Sequence, residues 1–151
     1  MSRLCGQNMR IDLLKDMPGH LIRRVQQISS AYFAREMAEF ELTSVQFVAL
    51  VALAETPGLD QTRLAELIDF DKATIGGVIE RLIRKGLVTR TVSSQDRRVK
   101  RLAVTPAGMA LIKVGFPGVR RVQNLLTTAL SDEEARQFSD LLKKIIASFD
   151  E

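Results

Sequence analysis

The chain has 151 residues, 46% hydrophobic and 26% charged, the composition of a folded globular protein long enough for its own core rather than of a disordered or fibrous one. With one cysteine, one histidine, no glycine-rich phosphate loop and no metal-ligand spacing, it offers nothing from which to assemble a disulfide, a zinc site or a catalytic triad, and it reads as a non-enzyme without metal or cofactor. The net charge of +4 leans towards a polyanionic partner; no apolar run approaches the ~20 residues of a membrane span and residues 1–15 lack a signal-peptide layout, so a cytoplasmic location is expected.

Leu21, Val25, Ile28 and Tyr32 recur at the spacing of one helical face and predict a long helix from Leu21 to about Phe40. Thr43 and Gln46 form a capping box that opens a second helix over residues 44 to about 55, ended by Thr56-Pro57-Gly58. Asp60 caps a short helix over residues 61–68, with Leu64, Leu67 and Ile68 expected in the core. Asp71 caps the next, over residues 72–85, with Ile75, Val78, Ile79, Leu82 and Ile83 on one side. Gly86 follows at a position that favours positive φ.

Residues 87–92 and 99–104 are β-branched, partly alternating runs joined by a polar segment, a hairpin with a basic tip. Thr105-Pro106 pairs an N-cap with proline at the first helical position. The helix it opens is expected to break or bend at Gly115-Phe116-Pro117-Gly118 and resume to Leu130. Ser131 and Glu134 form another capping box, and Phe138, Leu141, Leu142, Ile145 and Phe149 stripe the last helix.

The expected fold is therefore mostly α with a small β-hairpin wing. It combines a winged helix-turn-helix over residues 41–105 with a helical dimerisation unit built from the N- and C-terminal helices, residues 1–40 and 106–151. Helix, three-residue turn, helix and hairpin is the order in which the second helix enters the major groove of double-stranded DNA. The outward start of that helix offers Lys72, Ala73, Thr74, Gly76 and Gly77, none bulky enough to block a groove. Lys72 suits a phosphate or a guanine edge and Thr74 a base or phosphate, while the glycines permit close backbone approach. Arg81 suits the sugar-phosphate backbone, and Thr62 on the preceding helix supports the contact. Every charged residue from Arg81 to Arg101 is Lys or Arg except Asp96. In the wing, Arg97 and Arg98, flanked by Arg90 and Lys100, can reach a narrow minor groove, with Asp96 pairing Arg98 and holding it extended. The apolar stripes of the first and last two helices exceed what one winged domain covers. A homodimer on a pseudo-palindromic operator follows from that excess.

Leu42-Thr43-Ser44-Val45-Gln46-Phe47, Leu64-Ala65-Glu66-Leu67, Asp71-Lys72-Ala73-Thr74, Arg81-Leu82-Ile83-Arg84-Lys85-Gly86-Leu87-Val88, Asp96-Arg97-Arg98 and Leu102-Ala103-Val104-Thr105-Pro106-Ala107-Gly108 occur in an order and spacing that resembles the MarR (multiple antibiotic resistance regulator) family, over roughly residue 21 to the C-terminus. The resemblance implies minor-groove insertion by the Asp-x-Arg pattern of Asp96 and Arg98, and a dimer intertwined through the first, fifth and sixth helices. It also implies repression relieved by a small, often aromatic or anionic effector bound between the dimer unit and the winged unit. His20, Arg24 one turn on, and Tyr32 are the candidate effector contacts. The segment from Asp71 to Val78 is similar to members that control aromatic-acid catabolism, which implies an aromatic carboxylate or its coenzyme A thioester. Some relatives sense peroxide through an N-terminal cysteine, so Cys5 carries a redox alternative, although it precedes the first helix and has only Arg3 and Arg10 as basic neighbours. A winged interaction module without DNA binding is the other alternative, and the basic wing argues against it.

Overall fold

In the computed structural model, which describes residues 10–150, most helices begin where a side chain satisfies the amides that a helix start leaves open. A short α1 (Ile11–Lys15) and α2 (Pro18–Glu36) precede a 3₁₀ turn, Ala38–Phe40. In the capping box of α3 (Ser44–Glu55), Gln46 N donates to Thr43 Oγ1 at 3.3 Å and Thr43 N donates to Gln46 Oε1 at 3.0 Å. Asp60 caps α4 (Gln61–Leu67), Asp71 caps α5 (Lys72–Arg84), Thr105 caps α6 (Pro106–Leu126) and Ser131 caps α7 (Asp132–Ala147). Between α5 and α6, β1 (Val88–Val92) and β2 (Lys100–Val104) pair antiparallel, with Val88 opposite Val104 and Val92 opposite Lys100.

The core forms around α3, whose Phe47, Leu50 and Leu53 are buried, and α5 lays Ile75, Val78, Ile79 and Leu82 into it. Leu87, Val88 and Leu102 carry this core into the base of the hairpin. Leu64 is fully buried, but Leu67, expected beside it, is 53% exposed. The inward face of α4 is centred on Leu64 and Ala65, with Ile68 packed beside them, and Leu67 falls outside it on the Leu64 side.

Two boundaries differ from the sequence expectation. The first long helix starts earlier and stops at Glu36, where the chain tightens into the 3₁₀ turn and Glu41 adopts φ 49°. Near Pro117, α6 is uninterrupted, and it ends at Leu126 rather than Leu130. Proline there removes the bond to the Lys113 carbonyl, but Phe116 and Pro117 face solvent while Gly115 and Gly118 are buried. A Cβ on Gly115 would stand 2.8 Å from the Phe47 ring and 2.9 Å from Met37 Cε. This glycine lets α6 approach α2 and α3, and the segment serves packing rather than breakage.

The base of the hairpin meets α6 equally closely. Thr105 N donates to the Leu87 carbonyl at 3.0 Å, Thr105 Oγ1 donates to the Gly86 carbonyl at 2.7 Å, and the same hydroxyl oxygen accepts from Gly108 N at 3.1 Å. A Cβ on the buried Gly108 would collide with the Leu87 carbonyl oxygen and stand 2.6 Å from Val104 Cγ1. Gly108→Ala is therefore expected to cost about 1–3 kcal/mol in urea unfolding. Gly77→Ala, where a Cβ meets nothing within 4 Å, is expected to stabilise by roughly 0.5–1 kcal/mol through helix propensity.

Candidate nucleic-acid interface

With Ile75, Val78, Ile79 and Leu82 turned inward, helical geometry places Ala73, Gly77, Glu80 and Arg84 on the opposite, exposed side of α5. Lys72 and Thr74 flank the start of this stripe and Arg81 lies beside it, all exposed. Thr74 is not fully at liberty: its amide donates to Asp71 Oδ1 at 2.8 Å and its hydroxyl donates a short hydrogen bond to Asp71 Oδ2. The hydroxyl oxygen keeps its acceptor capacity. The Thr74 hydroxyl first, then its amide, hold the Asp71 carboxyl below its ordinary value of 3.8.

The two glycines of α5 do different things. Gly76 is turned towards α4, where a Cβ would stand 2.9 Å from Gln61 Nε2. That amide donates to the Lys72 carbonyl at 3.1 Å and ties the start of α4 to the start of α5. Only Gly77 opens outward. Thr62 lies exposed beside Gln61.

The wing tip is a hydrogen-bonded turn. Ser93 N donates to the Val99 carbonyl at 2.9 Å and Val99 N to the Asp96 carbonyl at 3.0 Å, while the Ser93 hydroxyl accepts from Gln95 N and Asp96 N. Asp96 Oδ1 accepts from the Arg98 backbone amide at 2.9 Å. The expected side-chain pairing with Arg98 is thus replaced by a bond to its main chain, which is the partner a carboxylate two residues away reaches in a tight turn. Arg97, Arg98 and Lys100 project from this turn and its strand, exposed. Arg90 points back instead, its Nη2 2.7 Å from Glu80 Oε1, and Arg101 Nη1 donates to the Gly58 carbonyl at 2.9 Å. Neither Glu80 nor Gln61 stands out in the sequence. Helical phase alone would have found Glu80, an acid on the outward stripe of a helix read as groove-entering.

The candidate effector residues do not converge within one chain. His20 Nδ1 lies 3.3 Å from Arg23 Nη2, Arg24 Nη1 donates to Gln27 Oε1 at 3.1 Å, and Tyr32 is half-buried with the Arg35 guanidinium 5.6 Å from its ring centre. Twelve residues of helix separate His20 from Tyr32 by about 18 Å, too far for one aromatic carboxylate to bridge. Cys5 lies outside the described residues. No helix among them is long and apolar enough to cross a membrane.

A capped helix with a slender polar stripe, set beside a cationic hairpin, defines a winged helix protein of the DNA-binding kind. The MarR family matches residues 42–100. The chain is 35% identical over 130 residues to the HTH-type transcriptional repressor NicR of Pseudomonas putida, covering 86% of this chain and 82% of NicR. Its structure resembles PcaV of Streptomyces coelicolor in complex with its natural ligand, at TM-score 0.83 and 32% identity over 91% of this chain and 96% of PcaV. It also resembles BpsR of Bordetella bronchiseptica, whose DNA binding is regulated by 6-hydroxynicotinic acid, at TM-score 0.81 and 30% identity over 87% and 94% of the two chains. The chain belongs to the MarR family of transcriptional regulators and is not an enzyme.

The Asp71 cap generates a pH dependence. Because its carboxyl titrates below 3.8 in the folded protein, its contribution to α5 is complete above that value and is lost as pH falls through the folded one. Asp71→Asn keeps an acceptor but does not titrate. The stability difference between wild type and variant should shrink as pH falls from neutral to below 3.8 in urea unfolding; a constant difference would contradict the assigned hydrogen bonds.

Proposed function

We propose that the chain acts as a homodimer that occupies a pseudo-palindromic operator and represses transcription until a small aromatic carboxylate, or its coenzyme A thioester, releases it. The observation that carries this reading is the exposed stripe of α5 with the exposed Arg97-Arg98 wing tip beside it. Ala73 and Gly77 are small enough for the helix to settle into the major groove, and Ala73 suits a thymine methyl. Lys72 then meets a phosphate or a guanine edge and Arg81 the sugar-phosphate backbone, with Thr74 and Thr62 as hydroxyl contacts. Arg97, Arg98 and Lys100 track the flanking backbone and minor groove.

The dimer is supported by apolar surface that the single chain leaves uncovered. No residue of α7 is buried. Leu21 and Val25 of α2 are 50% and 40% exposed, and Leu141 and Ile145 of α7 are 59% and 49% exposed; these residues line an open groove of about 420 Å³. The helical unit of residues 1–40 and 106–151 is where two copies pair, and the winged unit of residues 41–105 is what each presents to DNA. The aromatic-acid effector is supported by the similarity to BpsR, and an effector seat shared between protomers is consistent with His20, Arg24 and Tyr32 failing to converge in one.

Band-shift titrations with the upstream region test this. Wild type should bind as a dimer with affinity falling steeply with salt, and Arg98→Ala should weaken binding by about tenfold or more. Leu141→Asp, which introduces a charge at a side chain exposed in the monomer, should give monomers in sedimentation and abolish the shift. Benzoate- and nicotinate-type acids should release wild type. Tight binding by a monomer, or no binding at low salt by an intact dimer, would overturn the proposal, and the latter result would favour an interaction module.

A further inference from the structure

Glu80 is the one acidic residue of α5, and it lies on the same outward stripe as Ala73 and Gly77, about 10 Å along the axis from Ala73. A carboxylate in that place faces a polymer with one negative charge every ~1.7 Å of helix axis. Its partner comes from the wing: Arg90, in β1, has Nη2 at 2.7 Å from Glu80 Oε1, with the two side chains 27% and 56% exposed. An ion pair this exposed adds little to folding stability, so its effect must be sought in what the two elements do together.

We propose that Arg90 is a positioning residue for DNA binding and not a DNA ligand. It neutralises Glu80 on the groove-facing stripe and fixes the angle between α5 and the hairpin that carries Arg97 and Arg98. The guanidinium is engaged by a carboxylate on α5, and Arg90 lies opposite Leu102 at the middle of the strand pair, two pairs back from Val92 and Lys100 at the tip end. Without Arg90, Glu80 meets the phosphates uncompensated and the wing loses its only ion pair to α5 among the described residues. The proposal rests on α5 being the helix that enters the groove.

The experiment is a set of operator titrations at several salt concentrations with wild type, Arg90→Ala, Glu80→Gln and the double variant, with thermal midpoints recorded for all four. Arg90→Ala should weaken operator binding about tenfold with a nearly unchanged midpoint. The double variant, which restores neutrality but not the tie, should bind more tightly than Arg90→Ala yet stay weaker than wild type, with the wild-type salt slope. Glu80→Gln alone should raise affinity for unrelated duplex more than for operator. A double variant as weak as Arg90→Ala, with a salt slope lower by about one per protomer, would make Arg90 a phosphate ligand and overturn the proposal. Failure of the wild type itself to bind would instead overturn the DNA-binding reading beneath it.

Discussion

Where β2 ends, one threonine side chain joins two parts of the molecule that share little else. The Thr105 hydroxyl donates to the carbonyl of Gly86, just past the C-terminus of α5, and accepts from the amide of Gly108, in the first turn of α6. Gly86 takes φ 70°, which glycine adopts without strain, and Gly108 has no Cβ to separate α6 from the Leu87 carbonyl. The junction is therefore made of backbone and one short side chain, with no long side chain to absorb a rotation. A change in the pitch of α6 is passed to the end of α5 and to the base of the wing instead of being dissipated in rotamers. The proposed coupling between effector and operator needs such a path.

Around that junction the molecule sorts its surfaces by chemistry. The core centred on α3 separates an outward face of α5 and the wing, rich in Lys and Arg, from helices whose apolar residues stand in water. Long-range ties cross between elements at a few points: Arg121 of α6 to Glu36 of α2 at 2.8 Å, Lys85 to Glu41 at 3.6 Å, and Arg90 to Glu80. Each is at least partly exposed, so each sets relative orientation more than it sets stability.

Much of this was legible in the sequence because its signals are local. The caps at Thr43, Asp60, Asp71, Thr105 and Ser131 need only a side chain and an amide three residues on, and all five form. The order of helices and hairpin followed from periodicity, β-branched runs and turn residues together with these caps. What was not legible depends on partners far along the chain. Pro117 reads as a helix breaker until Phe47 and Met37 are seen packed against Gly115. Gly76 and Gly77 look alike until Gln61 is found over the first. Arg90 looks like one more wing cation until Glu80, ten residues earlier, takes its guanidinium. Asp96 was correctly tied to Arg98 but to the wrong atom of it, since spacing gives the neighbour and not the rotamer.

The hairpin also has an outer edge to satisfy. Two strands alone are marginally stable in water, and here Leu102 N donates to the Leu59 carbonyl at 2.9 Å while Arg101 grips the Gly58 carbonyl. The connection between α3 and α4 thus lies along β2 as a rudimentary third strand. Surface connections usually tolerate insertion and deletion well. This one has its length prescribed by the wing: a residue added between Thr56 and Asp60 would slide the Leu59 carbonyl out of register with Leu102 and uncover a strand edge open to pairing with other chains. The reach of the wing is in that sense set by a loop that belongs neither to the wing nor to the outward stripe of α5.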